Sequence, residues 1–375
     1  MLKLDKSPKA SIQAALYFSM EKHIVWISAL SLYAGIANAQ SMCKGKDDPP
    51  GVIQSVDWAI FYVIPNQANA NAIYSSQTPV WENNKVNLTI KEGALGGLFV
   101  EYYNNNTKKQ WNMIAYSNFP PSHRDVIKYA SPVRGVFGYN GNNGWWLSHS
   151  IDKWPDMQAT EFAFPPARGA GLIVCVTVPV SEMGRWGTAL NYQNPMIYYF
   201  QSATAGNGTP LKNIEELNEL TEPPRFVFSP YVRKEEFQTP NGLKYSVLSM
   251  LPQARQDFYS SYMAIALRKK LIVYSKPAQY EPLMPSKCAA TYTVENVKAK
   301  NITVNGVPIT RSYDSSRWAI SKANNANAVF CISSNDRRRS VIHNGGGALC
   351  LHDQNVHQLF RALVSNKDIE ACKTT

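Results

Sequence analysis

Ser131–Ser150 reads SPVRGVFGYNGNNGWWLSHS, the pattern of a strand, a turn and a second strand. Val133, Val136 and Phe137 lead in. Asn140–Gly144 supply residues that tolerate positive φ, and Trp145, Trp146 and Leu147 lead out to His149. The two tryptophans are expected to wall His149 off from bulk water. A histidine so placed is either a hydrogen-bonded member of a hairpin core or part of a reactive site, and the spacing alone leaves both readings open.

Upstream, Val56–Ile64 (VDWAIFYVI) is a near-continuous apolar run ended by Pro65, as in a strand buried on both faces. Residues 66–84 read as polar loop, Leu98–Tyr103 and Met113–Tyr116 as strands, and Asn118–His123, with two prolines, as loop. Downstream, Trp154-Pro155 and Pro165-Pro166 mark a surface excursion, and Leu172–Val178 (LIVCVTV) is another buried strand. Residues 201–224, rich in Gly, Asn, Glu and Pro around a helical patch at Leu211–Leu220, place a boundary between an N-terminal half, 40–220, and a C-terminal half, 221–375. In the second half a helix is expected over Gln253–Lys270, with Phe258, Tyr262, Ile265 and Ala266 on one face and basic residues in its last turn. Strands follow at Leu271–Tyr274 and Tyr292–Val297, and a helix at Gln354–Val364.

The 375 residues, 45% hydrophobic and 17% charged, suffice for a large core. Residues 1–39 read as a signal peptide. The apolar run Ile24–Ala34 lies behind Lys22 and His23, and Ala37-Asn38-Ala39 fits a small-x-small cleavage site. Met20 would begin a signal of more ordinary length; an uncleaved N-terminal anchor is the other reading. No later segment has the unbroken apolar length of a membrane span. Removing residues 1–39 takes away four Lys and two acids (Asp5, Glu21), leaving 34 basic and 25 acidic residues, a net of +9. That charge suits a polyanion partner such as nucleic acid, a heparan-like glycan or an anionic membrane, although many secreted proteins are basic without one.

Six cysteines (Cys43, Cys175, Cys288, Cys331, Cys350, Cys372) all follow the signal. An even number in an oxidising route suggests three disulfides, with fifteen pairings open on spacing alone. None has C-x-x-C spacing, and His352 and His357 are five apart, so no metal site is expected. Sequons at Asn87, Asn105, Asn207 and Asn301 read as surface positions of a secreted glycoprotein. Asp336-Arg337-Arg338-Arg339 is the densest basic cluster and is expected in a solvated loop.

GWWLSHS resembles the aromatic-histidine segment of the DNase II family, acid endonucleases of secretory and lysosomal compartments. Gly135 and His149 are fourteen residues apart, the family's separation between the glycine of an upstream H-x-K-G motif and this histidine. Val56–Pro65, QDFYSSYMAIALRKKLIVYSK and GGGALC (Gly345–Cys350) are similar to further family segments. The resemblance implies a mixed α/β, phospholipase D-like fold: a pseudo-symmetric sandwich of two halves, central β-sheets flanked by helices, each half bringing one H-x-K to a shared cleft. It also implies the pairings Cys43–Cys175, Cys288–Cys372 and Cys331–Cys350, and chemistry without cofactor or metal.

At both motifs the sequence departs from the family. H-x-K-G is here Pro132-Val133-Arg134-Gly135, and D-H-S-K-W is Asp314-Ser315-Ser316-Arg317-Trp318. In the family one histidine attacks phosphorus, the other protonates the leaving oxygen, and the lysines hold the phosphate. Proline has no side-chain nucleophile, and serine needs a base to become one. Arginine can still grip phosphate. The expectation is therefore a secreted, extracellular, catalytically inactive DNase II-like binding protein. Its partner would be DNA or another polyanion through Arg134 and Arg317, or a host or matrix protein. The alternative is an active metal-independent acid endonuclease built on His149. The degenerate motifs, signal and sequons resemble, more loosely, the secreted DNase II-like glycoproteins of parasitic nematodes.

Overall fold

The computed structural model describes residues 42–47, 52–165, 168–206, 208–222 and 227–372. The signal segment, Met20 and Asn207 lie outside them. A short ribbon of β1 (Cys43–Asp47) and β2 (Ile53–Val56) precedes the first large sheet. That sheet uses β3 (Trp58–Val63), β4 (Asn69–Tyr74), β5 (Val86–Asn87), β6 (Asn112–Tyr116), β7 (Gly135–Tyr139), β8 (Asn143–His149), β9 (Gly171–Pro179) and β10 (Ile197–Gln201). They are antiparallel throughout, in the order β10-β6-β7-β8-β9-β3-β4-β5.

The second sheet takes β11 (Val232–Gln238), β12 (Lys244–Met250), β13 (Leu271–Tyr274) and β14 (Val294–Asn296). After a small hairpin of β15 (Asn301–Val304) and β16 (Val307–Thr310), it adds β17 (Trp318–Ser321), β18 (Phe330–Ser333) and β19 (Gly346–Leu351). Its order is β11-β12-β19-β18-β17-β13-β14, with only β13–β14 parallel. The chain is thus a mixed α/β protein dominated by two sheets, each drawn from one stretch of sequence.

Strand alternation decides what lies between the sheets. Ile60, Tyr62, Phe137, Trp146, Val174 and Val176 share one core with Val247, Ile272, Tyr274, Trp318, Ile320 and Leu349 of the other sheet. The opposite face of the first sheet, with Phe61, Trp145 and Leu147, packs under Phe99, Tyr102 and Trp154. The opposite face of the second, with Leu248, Met250 and Val273, packs under Phe258, Tyr259 and Met263. Trp58–Val63 is buried at every residue because both faces of its sheet are covered. The disulfides are Cys43–Cys175, which fastens the ribbon to β9, Cys288–Cys372, and Cys331–Cys350 between β18 and β19.

Buried polar groups tie the sheets together. The Asp314 carboxylate accepts from Tyr62 Oη (2.7 Å) and Tyr274 Oη (3.0 Å). Asp57 accepts from Asn241 N (3.0 Å), Asn241 Nδ2 (2.9 Å) and the Thr239 hydroxyl. Asn71 donates to the Val304 carbonyl at 3.1 Å.

Five local expectations are corrected. Residues 66–84 are not all loop: Asn69–Tyr74 is strand β4, paired with β3 and buried from Ala70 onward. Leu98–Tyr103 is not a strand: Gly96–Leu98 is a 3-10 turn and Val100–Tyr103 a helical turn, α1. A short apolar run does not distinguish the two. The β7–β8 turn takes no positive φ at residues 140–144. Tyr139 pairs with Gly144, leaving a four-residue loop, a length usually built around a type I turn. The helix expected from Gln253 begins only after Asp257, whose carboxylate caps Tyr259 N and Ser260 N. It opens as a π-helix over Phe258–Met263 before α-helical Ala264–Leu267. The wider turn rotates the face, so Tyr259, Met263 and Leu267 are buried while Ile265 is 56% exposed. Finally, Trp154 is no surface residue; its ring is fully buried.

Candidate functional site

Two hairpins present the same device to one cleft. Arg134 immediately precedes β7, and its carbonyl accepts from His149 N (3.1 Å) at the end of β8. Arg317 immediately precedes β17, and its carbonyl accepts from Ser333 N (2.9 Å) at the end of β18. Three residues beyond each of those partners lies an aspartate, and each aspartate pairs with its hairpin's arginine. Arg134 Nη1 meets Asp152, and Arg317 meets Asp336 through Nε and Nη2, both at 2.9 Å. The sequence-derived positions Pro132, Arg134, His149, Ser315 and Arg317 all line one cavity of about 690 Å³, together with Ser150, Asp152, Lys276 and Asp336.

The arginines are less free than their sequence positions imply. Arg134 Nε also donates to Asn118 Oδ1 (2.8 Å) and Nη1 to the Ser150 carbonyl (3.2 Å). Arg317 Nη1 also donates to the Ser315 carbonyl. Burial alone would lower Arg317, but the Asp336 carboxylate outweighs it and holds the guanidinium above its ordinary value. Conversely, burial pushes Asp336 up and the Arg317 charge overrides it, holding the carboxyl below the usual range.

Of the Asp336–Arg339 cluster, expected in a solvated loop, only Arg339 is solvent-exposed; the other three are drawn into the fold. Asp336 is buried against Arg317. Arg337, 2% exposed, is enclosed by Asp257, Asn296 Oδ1 (2.7 Å) and the Pro285 carbonyl. Arg338 reaches Asp336 and Glu281. A buried arginine needs partners for its donors, and these were spread over 80 residues of sequence.

Ser315 sits in a closed relay. Its hydroxyl donates to the Ala170 carbonyl (2.9 Å) and contacts Ser150 Oγ (3.2 Å), whose own oxygen accepts from Leu172 N (2.9 Å). A carbonyl holds a hydroxyl in place but cannot take its proton. Lys276 lines the same cavity. Burial, then the nearby Arg317 charge, lower its ammonium below the ordinary lysine value.

His149 is walled off as its neighbours suggest, but chiefly by a residue the sequence did not point to. Its ring stands edge-on to Trp154 at 5.0 Å. Nδ1 accepts from Ile151 N (3.1 Å), fixing the neutral tautomer with hydrogen on Nε2. Nε2 is buried with no partner among the described residues. Burial, then repulsion from Arg134, depress the imidazole to about 3. It is neutral throughout the acid range in which an unperturbed histidine, near ~6.5, becomes charged.

The consequence for stability has a definite sign. A histidine whose folded pKa is depressed contributes fully above its unfolded pKa and loses that contribution as pH falls towards the folded value. Between pH ~6.5 and 4 the loss is about 3 kcal/mol, at ~1.36 kcal/mol per unit. Urea unfolding of the natural protein should weaken on going from pH 7 to 4 by about that much more than His149→Gln. Identical pH dependence of the two would show that His149 is not buried neutral.

The remaining histidines among the described residues do not gather. His352 Nε2 pairs with Ser246 Oγ (2.7 Å), His357 Nε2 with the Ser321 carbonyl (2.7 Å), and His343 stands at the cleft rim. Among the described residues no helix is long and apolar enough to cross a membrane. Asn87, Asn105 and Asn301 are exposed.

Comparison with known proteins adds the family. The model of deoxyribonuclease II matches residues 43–372. Deoxyribonuclease-2-alpha of Rattus norvegicus is 23% identical over 365 residues, covering 93% of this chain and 96% of that protein. Plancitoxin-1 of Acanthaster planci is 24% identical over 346 residues, covering 88% and 92%. Cell-death-related nuclease 7 of Caenorhabditis elegans is 22% identical over 361 residues, covering 94% of each. A family match spanning both sheets and the cleft between the hairpins means that the chain belongs to the deoxyribonuclease II family.

Proposed function

We propose that this protein is a catalytically silent member of its family that binds a polyanion, nucleic acid first among them, in the cleft where its halves 40–220 and 221–375 meet. The observation that carries this reading is the Ser315 hydroxyl, committed to the Ala170 carbonyl at the position where the family resemblance places a histidine. Pro132 offers no reactive side chain, and His149 is neutral and enclosed. The net charge, +11 for the full chain and +9 without residues 1–39, supports a polyanionic partner. The disulfides, the apolar segment Ile24–Ala34 and the exposed asparagines Asn87, Asn105 and Asn301 support secretion as a glycoprotein.

Because Arg134 and Arg317 are tied to aspartates, the affinity falls to cleft cations that have no carboxylate partner among the described residues, Lys128 and Lys276. Fluorescence anisotropy with a labelled DNA oligonucleotide in EDTA tests this. Affinity should fall at least tenfold between 50 and 200 mM salt. The double variant Lys128→Ala/Lys276→Ala should weaken binding about tenfold and flatten the salt slope. Binding that is absent at 50 mM salt, or indifferent to both lysines, would overturn the reading.

A further inference from the structure

A second cavity of about 830 Å³ adjoins the cleft and shares Asp152, Lys276 and Ser315 with it. Its walls carry Arg124, Lys153 and Arg168, all exposed and without a carboxylate partner among the described residues. Among the described residues Asp152 is the only acid lining it, and that carboxylate is held by Arg134. The two cavities thus form one basic groove that runs past the hairpin ends.

Each cavity also has a tyrosine facing solvent. Tyr129, 92% exposed, lines the cleft, and Tyr313, 67% exposed, lines the second cavity. Phe228 and Tyr280 are comparably exposed but line neither. The backbones beneath the two rings are fixed. The Tyr313 carbonyl accepts from Ala170 N (2.7 Å), beside the point where a side chain at Gly169 would collide with it. The carbonyl next to Tyr129, that of Lys128, accepts from Asn344 Nδ2 (2.8 Å) in the other half. Open aromatic faces on rigid supports along a cationic groove are the elements that hold single-stranded nucleic acid: phosphates on the cations, unstacked bases on the rings. A duplex has its base faces covered by neighbouring bases, so these rings would have nothing to stack on.

We infer that the groove selects single-stranded over double-stranded nucleic acid, with Tyr129 and Tyr313 as base-stacking platforms and Arg124, Lys153, Arg168 and Lys276 along the backbone path. This rests on the polyanion-binding reading above and names the form of the ligand. The test is anisotropy in EDTA with a labelled 20-nucleotide strand of mixed sequence and with the same strand as a blunt duplex. The single strand should bind at least tenfold more tightly. Tyr129→Ala and Tyr313→Ala should each weaken it about tenfold while leaving duplex binding and the unfolding midpoint unchanged, and Tyr→Phe at either position should retain affinity. Equal affinity for both forms, or tyrosine variants without effect on single-strand binding, would overturn this inference alone. Absence of binding to either form would overturn it together with the reading beneath it.

Discussion

Supercoiled plasmid incubated with the purified protein should remain supercoiled from pH 4 to pH 8 with EDTA present, and His149→Ala should give the same result. Metal-free cleavage of a phosphodiester needs a nucleophile and a proton donor for the leaving oxygen, positioned on either side of phosphorus. At the first hairpin the position before Arg134 offers only Val133 and Pro132. At the second, the Ser315 proton is directed at the Ala170 carbonyl, and the serine lies in a relay whose other members are Ser150 and a backbone amide. His149 could supply one group at most, and it does so from behind Trp154 with a proton affinity far below that of a working acid. Losing one member of a cooperating set costs several orders of magnitude in rate, which places the product below detection. Nicked or linear plasmid that disappears in His149→Ala would mean that a competent centre has been rebuilt around this imidazole, and the binding-protein reading would fall.

Arg317→Ala should destabilise the fold by about 3 kcal/mol, near the lower end of what breaking a buried pair costs. The aspartate left behind is only 6% exposed. The loss stays near that end because Arg338 remains within 3.2 Å of Asp336 and the Lys276 amide still donates to it at 2.9 Å. The pH dependence distinguishes this from a simple packing defect. In the natural protein Asp336 is held below the carboxylate range, so its contribution is full above its unfolded pKa of ~3.9 and is lost only as pH falls through the depressed folded value. Without Arg317, burial dominates and the folded pKa moves above the unfolded one. The sign reverses, and the variant is penalised least in acid. Urea titrations at pH 7 and pH 4 should therefore show the gap between natural and variant protein narrowing at pH 4. A gap independent of pH would mean that the arginine acts through packing alone.

How far the sequence reaches depends on whether the deciding contacts are local. The β7–β8 hairpin, the buried runs at β3 and β9 and the strands at β6 and β13 follow from apolar periodicity and turn residues, which act within a few positions. The helical turn at Val100–Tyr103 was hidden because four residues carry too little periodicity to separate strand from helix. The π-turn at Phe258–Met263 was hidden because the expected face assumes 3.6 residues per turn. At the site, Pro132, Arg134, His149, Ser315 and Arg317 were all visible as motif positions. Their pairing with Asp152 and Asp336 was not, because nothing in the spacing says which of many acids meets a given arginine. Arg337 is the sharpest case: inside a run of three arginines it looks like surface charge, and only its distant partners Asp257 and Asn296 make its burial affordable.

The carboxylates of Asp314 and Asp57, each accepting hydrogen bonds across the two sheets, have a kinetic consequence for whatever enters the cleft. Walls tied together in this way resist being drawn apart. On the binding reading, capture would wait on diffusion and charge steering, so arrival would be fast and sensitive to ionic strength. Residence of a bound polyanion would then be governed by the contacts it makes along the groove.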